Sequence, residues 1–385
     1  MMSPRTPMND PLRPTAQTAT SSTRSIRCRS GEFLIRDQIL AGGQRDGVRM
    51  IEVQAEHLGL AIVPTRGMGI WQAWRGETRF QWRSPVAGPV HPWYVPISEP
   101  SGLGWLSGFD ELLVRCGLES NGAPEFSDQG SLRYPLHGRI ANLPAEEVSI
   151  TVDESADLLF VEGTVRESRL FFSDWLLRTT IAIHLTEPWV TIEDTVVNHS
   201  DQRRCGQMLY HINLGSPLLG PGARLVAPYE RVVPKTPRSG EGIEHFDCYG
   251  PPEPGFAEQV YLMQLQRDPQ GWSKVLLHSA DQSCGVGLGL DTSTLPYFVQ
   301  WKNTGGLADG YVTGLEPATN FPNTRSFEER AGRVFQLDPQ HEITFRLQLH
   351  FLLGQDAVGA FAAGIEDLRS REGIVEKEPR GDWCQ

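Results

Sequence analysis

In WVTIEDTVV, residues 189–197, the apolar Val190, Ile192 and Val196 alternate with polar neighbours. A side-chain period of two is the pattern of a β-strand with one buried and one wet face, and a helix cannot satisfy it. Similar runs precede it: DLLFVEGTVRES from residue 157, RLFFSDWLLRTTIAIHL from 169, and the Gly- and Pro-broken GVRMIEVQAEHLGLAIVPTRGMGIWQAWRG from 47. GRVFQLDPQHEITFRLQLHFLL, residues 332–353, reads as a further hairpin that turns at Asp338-Pro339. The one clear helix comes late. Asp356 is placed to cap AVGAFAAGIEDLRSR, where Val358, Phe361, Ile365 and Leu368 recur at helical spacing. No strand–helix–strand repeat is present and no G-x-G-x-x-G follows a strand, which argues against a Rossmann nucleotide binder. The pattern predicts an all-β protein: a large antiparallel β-sandwich over residues 31–355, then a short C-terminal helix and tail over 356–385. Residues 1–30, rich in Ser, Thr, Arg and Pro without an apolar core, read as a disordered tail.

Charge narrows the partners. With 47 acidic against 35 basic residues the formal net charge is −12, which disfavours nucleic acid and anionic membrane surfaces. No run approaches the roughly 18 apolar residues that a membrane helix needs. The six cysteines, Cys28, Cys116, Cys205, Cys248, Cys284 and Cys384, are scattered without a C-x-x-C pair. They predict reduced thiols in the cytoplasm rather than a zinc site or a disulfide framework. The assembly expected is a monomer or homodimer.

Three loop-like segments carry groups that could do chemistry: YPLHGRIANLP with His137, GQMLYHINLGSPLL with His211 and Asn213, and GYVTGLEPATNFPNTR with Glu316. Each sets a titratable side chain in an apolar or Gly/Pro-rich setting, where an idle polar group costs stability. Two readings stay open for each. His137 or His211 can be a hydrogen-bonded structural histidine, as His57, His91, His184, His199, His245, His278, His341 and His350 are taken to be, or it can hand protons to a ligand. Glu316 can brace the turn at Pro317 or act as a base. Two imidazoles and a carboxylate could also hold a metal, but no H-E-x-x-H or H-x-H spacing supports that, and no metal is expected.

PLHG, YHINL and GLEP, in this order and preceded by YFVQWKNTGG before the last, resemble the aldose 1-epimerase (galactose mutarotase) superfamily over roughly residues 35–355, especially its glucose-6-phosphate epimerase-like and uncharacterised bacterial branches. The resemblance implies a galactose mutarotase-like supersandwich that binds a small-molecule sugar and needs no cofactor. It implies that His211 protonates the ring oxygen, that Glu316 removes the anomeric hydroxyl proton, and that His137 holds and polarises the ring-oxygen side. Trp301 and Lys302 beside the glutamate segment, Arg66, Arg139, Asp110 and Asn213 are the candidate sugar contacts. Glu258 in AEQVYL stands where many epimerases carry an aspartate, and the long aromatic loop over residues 82–113 does not match the galactose enzymes. A non-catalytic carbohydrate-recognition protein, or an isomerase or lyase acting on an oxidised sugar, are the alternatives to an anomeric epimerase.

Overall fold

A computed structural model describes residues 17–385. The described residues form two large sheets packed face to face, with a two-stranded hairpin, Glu125–Phe126 with Leu132–Tyr134, at one side. The spine of the larger sheet runs, in spatial order, through Gln17–Arg27, Glu32–Ala41, Arg49–Gln54, Gly59–Val63, Gly69–Arg75, Leu113–Leu118, Arg204–Gly215, Tyr311–Ala318, Tyr297–Thr304, Gln259–Leu265, Tyr229–Pro234 and Ile374–Val375. The smaller runs through Val148–Asp153, Leu158–Arg169, Ser173–His184, Trp189–Asn198, Glu342–Leu353, Cys284–Asp291, Trp272–His278 and Arg224–Val226. Neighbouring strands are antiparallel except the last pair of the larger sheet. The all-β sandwich expected from the alternating runs is the fold observed.

The alternation does the sorting. Val190, Ile192 and Val196 of the smaller sheet pack with Leu177 and Ile181 against Ile51, Leu60, Ile62, Leu113 and Ile212 of the larger. Each such side chain, once removed from water, contributes about 1.5–3 kcal/mol. Asp194 lies on the same buried face and is an exception to the pattern. Its carboxylate takes both nitrogens of the Arg115 fork, at 2.6 and 3.0 Å, and the Tyr210 hydroxyl at 2.8 Å. Arg115 also donates to the Met68 carbonyl at 2.7 Å. The pair thus ties the two sheets through a dry core, with every charge answered.

Four details depart from expectation. Residues 17–27, assigned to the disordered tail, pair along Glu32–Ala41 as an edge strand, with Thr20 opposite Ile39 and Arg27 opposite Glu32. Backbone hydrogen bonds to an existing edge do not require apolar side chains, and threonine suits a strand; residues 1–16 lie outside the described residues. The turn at Asp338-Pro339 does not close a hairpin. Phe335–Leu337 pairs with Arg204–Gly206 of the larger sheet, whereas Glu342–Leu353 crosses to the smaller. The helix spans Gln355–Glu366 with Gly354, at φ 87°, as its N-cap, which leaves Asp356 in the first turn. Beyond the helix the chain returns to the larger sheet, where Ile374–Val375 pairs and Trp383 and Cys384 are buried.

Removing Arg115 alone leaves Asp194 charged and buried. Arg115→Met should cost about 3–5 kcal/mol of unfolding free energy, and Arg115→Met/Asp194→Leu should cost less than that single change. Urea titrations followed by circular dichroism measure both; equal losses in the single and double variants would contradict a buried ion pair.

Candidate active site

The larger sheet's central strands alternate between two faces. Along Arg204–Gly215, Met208, Tyr210, Ile212 and Leu214 enter the inter-sheet core. Leu209, His211 and Asn213 therefore face the other way. Along Tyr311–Ala318 the opposite face carries Val312, Gly314, Glu316 and Ala318. The register runs from Leu209↔Ala318 to Ile212↔Leu315, which sets His211 opposite Glu316 and Asn213 opposite Gly314. On the far side Glu316 is opposite Val299, and Gly314 is opposite Trp301. One sheet face thus brings His211, Glu316 and Trp301 together around a glycine.

That glycine is required by the packing of the pair. A Cβ at Gly314 would lie 2.6 Å from Glu316 Oε1 and 2.7 Å from His211 Cε1. Its missing side chain lets the two groups close over the strand and meet each other.

His211 Nε2 lies 3.2 Å from Glu316 Oε1, and both side chains are nearly inaccessible. The contact has ion-pair distance without hydrogen-bond alignment. His211 Nδ1 donates to Asn213 Oδ1 at 2.6 Å, because the Asn213 amide nitrogen already donates to the carbonyls of Glu111, at 3.0 Å, and His211, at 3.2 Å. Nδ1 therefore carries the proton of a neutral imidazole, and Nε2 presents its lone pair to Glu316. Burial pushes His211 well below the usual histidine range, helped by the neighbouring His137. Burial also raises Glu316 to about 8, against the field of Lys235 and with that of Glu258. Both groups are thus driven to neutrality, and one proton is left between them on the carboxyl.

His137 reaches the same place from a loop. Its ring centre lies 5.4 Å from that of His211, edge to face, and 4.6 Å from Trp105. The backbone is strained to bring it there, with His137 at φ 57° and Gly138 at φ 72°. A Cβ at Gly138 would lie 2.0 Å from the Ser120 carbonyl oxygen, so this position admits only glycine. His137 Nδ1 donates to the Asn121 carbonyl at 2.9 Å, and burial lowers the imidazole to about 4. It too is neutral, with Nε2 as an acceptor. Phe109, 5.1 Å from the His211 ring, and Trp301, 5.4 Å from it, complete the apolar collar.

The model of the family described as Domain of unknown function (DUF4432) matches residues 45–351. The chain belongs to this family. A comparison with curated proteins gives no match. Among solved structures, a "putative aldose 1-epimerase" from Klebsiella pneumoniae shares 29% identity at TM-score 0.87, over 93% of this chain and 98% of that one. A galactose mutarotase-like protein from Clostridium acetobutylicum matches at TM-score 0.57 and 14% identity, over 83% and 98%. The galactose 1-epimerase of Lactobacillus acidophilus matches at TM-score 0.51 and 11%, over 87% and 100%. The last two similarities are ones of fold.

In this DUF4432 member the sequence-derived candidates divide. His137, His211, Glu316 and Trp301 converge, and Glu258 joins them by accepting the Trp301 indole N–H at 2.6 Å. Asn213 is present as the residue that orients His211, with its amide fully used. Four candidates lie elsewhere. Arg66 is wholly buried and committed to Glu111 at 2.7 Å, to Asn142 and to the Gly108 carbonyl. Lys302 follows Trp301 and therefore points to the opposite face, where it donates to the His245 and Cys248 carbonyls at 3.1 and 2.5 Å. Asp110 packs beneath Gly88 and accepts from the Trp71 indole at 3.0 Å. Arg139 makes no side-chain hydrogen bond or ion pair with the described site residues, and its charge is felt by Glu167, which accepts the Leu118 and Glu119 amides at 3.1 Å each.

Trp105, Phe109, Gly314 and Lys235 escaped the sequence reading. Lys235, in VVPKTP, is half-buried and donates to the Pro322 carbonyl at 2.9 Å. Its only signal was a lone lysine between prolines at a strand end.

The shifts give opposite pH signatures. Glu316 holds its proton more tightly folded than unfolded, so its contribution to stability is complete below pH 4.5 and is lost as pH rises towards about 8. His137, shifted down from 6.5 to about 4, contributes above 6.5 and loses that contribution as pH falls towards 4. The stability difference between wild type and Glu316→Gln should therefore shrink from pH 4.5 to 8 and then level. Urea unfolding across pH 5 to 9 measures it; a difference that grows with pH would rule out a proton held on Glu316.

Proposed function

We propose that this chain is an aldose 1-epimerase-like enzyme that interconverts the α and β anomers of an aldose by acid–base ring opening. The observation that carries the reading is the His211–Glu316 pair, 3.2 Å apart and buried over Gly314, whose missing Cβ lets the two meet. The similarity to the Klebsiella protein supports it.

Ring opening needs a proton taken from the anomeric hydroxyl and another given to the ring oxygen. The resting pair holds one proton, on Glu316. Its transfer to His211 Nε2 creates a carboxylate base and an imidazolium acid side by side. Glu316 then takes the C1 hydroxyl proton, the C1–O5 bond breaks, and His211 gives its proton to O5. The products are a free aldehyde, a protonated Glu316 and a neutral His211, so protons balance and the pair is back in its resting form. Burial favours that neutral form at both ends of the step, so the charge-separated pair exists only in passing. Rotation about C1–C2 and the reverse transfers close the other anomer. The bare Nε2 of His137 accepts a sugar hydroxyl beside the ring oxygen, and the Trp301 face suits a pyranose ring. A recognition protein would have no use for a shared proton at this position.

Freshly dissolved pure α-anomers of several aldoses, followed by polarimetry or anomeric proton signals, test the reading. Equilibration should accelerate with the protein, and Glu316→Gln should lose about 10²–10⁴-fold of that acceleration. The wild-type rate should fall as pH rises through about 8, where Glu316 loses the proton it passes to His211. An unaccelerated panel, or a Glu316→Gln variant as fast as wild type, would sink the proposal.

A further inference from the structure

Two of the basic candidates for sugar contact are committed elsewhere: Arg66 to Glu111, and Lys302 to carbonyls on the other face. Lys235 is different. Its amide donates to the Val260 carbonyl at 2.9 Å, which places it in the row Asn213–Gly314–Trp301–Val260 on the face that carries the pair. Its ammonium leans back over that row to the Pro322 carbonyl. A Cβ at Gly122 would lie 2.9 Å from Pro322 Cα, and the Gly122 carbonyl accepts the His137 amide at 2.9 Å. The ammonium therefore sits around the junction that holds His137, and its field reaches both His137 and Glu316.

Pro322 takes one of its three N–H donors, and among the described residues no carboxylate lies within ion-pair distance. Glu258 is the charge that acts on it most strongly. Glu258 is held by the Trp301 indole through one oxygen, which leaves the other unused. A cation and a carboxylate thus stand apart on the face that carries the pair, each with spare hydrogen-bonding capacity. With Glu316 protonated and both histidines neutral, their charges cancel.

We infer that Lys235 contacts the substrate, and that with Glu258 it forms a separated charge couple that grips hydroxyls of the sugar remote from C1 and turns away an anionic substituent there. Hydroxyls donate to Glu258 and accept from Lys235, so a polyol satisfies both. A carboxylate or phosphate could satisfy Lys235 only by facing Glu258 uncompensated. The inference rests on the proposed sugar site, but not on its catalysis.

The test is calorimetric titration of wild-type protein, Glu258→Gln, Lys235→Met and Lys235→Arg with equilibrated D-glucose, D-galactose, D-glucuronate and D-glucose 6-phosphate, with anomerisation rates measured alongside. The two anions separate a carboxylate from a phosphate. Wild type should bind a neutral sugar at least about 10-fold more tightly than its anionic counterparts. Glu258→Gln should shift that preference about 10-fold towards the anions, Lys235→Met should weaken every sugar, and Lys235→Arg should recover part of the loss. Anion preference in wild type, a preference indifferent to Glu258→Gln, or binding indifferent to Lys235→Met would each overturn the inference. Binding with these responses but no anomerisation would sustain the couple and overturn the epimerase reading. Anomerisation indifferent to both residues would do the reverse.

Discussion

The register between Arg204–Gly215 and Tyr311–Ala318 is the constraint on which the site depends. Side chains alternate across a strand, so a slip of one residue in either would send His211 or Glu316 into the inter-sheet core and bring Tyr210 or Leu315 out. What forbids the slip is the cost of the exchange. Tyr210 is bound to Asp194 inside the sandwich, and Asp194 answers Arg115 from the neighbouring strand. The ion pair that joins the sheets therefore also holds the acid–base pair on the outer face.

Burial sets the chemistry of that face. An imidazole and a carboxyl in water would share a salt bridge at neutral pH, with His211 charged and Glu316 ionised. Beneath Trp105, Phe109 and Trp301, desolvation outweighs their attraction, and both are held neutral. The charge-separated form becomes the costly one, reached when a bound hydroxyl can stabilise the carboxylate. A group tuned in this way serves a reaction that begins and ends with the proton in the same place.

Legibility followed chain locality. The period of two in Trp189–Asn198 disclosed strands because each strand carries its own pattern, and PLHG, YHINL and GLEP disclosed the three titratable groups because each motif is contiguous. Direction was harder to read. Trp301 and Lys302 are adjacent in sequence and look equally available, but the pleat separates them by a whole sheet, and only register says which one faces Glu316. Arg66 failed for another reason. Its partner Glu111 is 45 residues away, and no local pattern shows that its guanidinium is already satisfied. Gly314 was invisible because its role is a side chain it lacks. Residues 17–27 deceived by composition, since an edge strand needs a partner backbone more than apolar side chains.

Arg66 nonetheless reaches the chemistry from one layer out. It clamps Glu111 and the Gly108 carbonyl, which fixes the short segment that ends in Phe109. The Glu111 carbonyl accepts the Asn213 amide, whose oxygen in turn accepts the His211 Nδ1 proton. Two consequences thus pass from one arginine: an aromatic wall that keeps water from the pair, and a hydrogen-bond chain that decides which imidazole nitrogen carries the proton. Both point Nε2 at Glu316 as a base. On the opposite wall, the left-handed turn at His137 and Gly138 arrives at the same tautomer through a backbone carbonyl. The two histidines are held by unrelated parts of the chain, one on a sheet and one on a strained loop, yet both present a bare Nε2. The site is therefore organised around where a proton is absent as much as around where it is held.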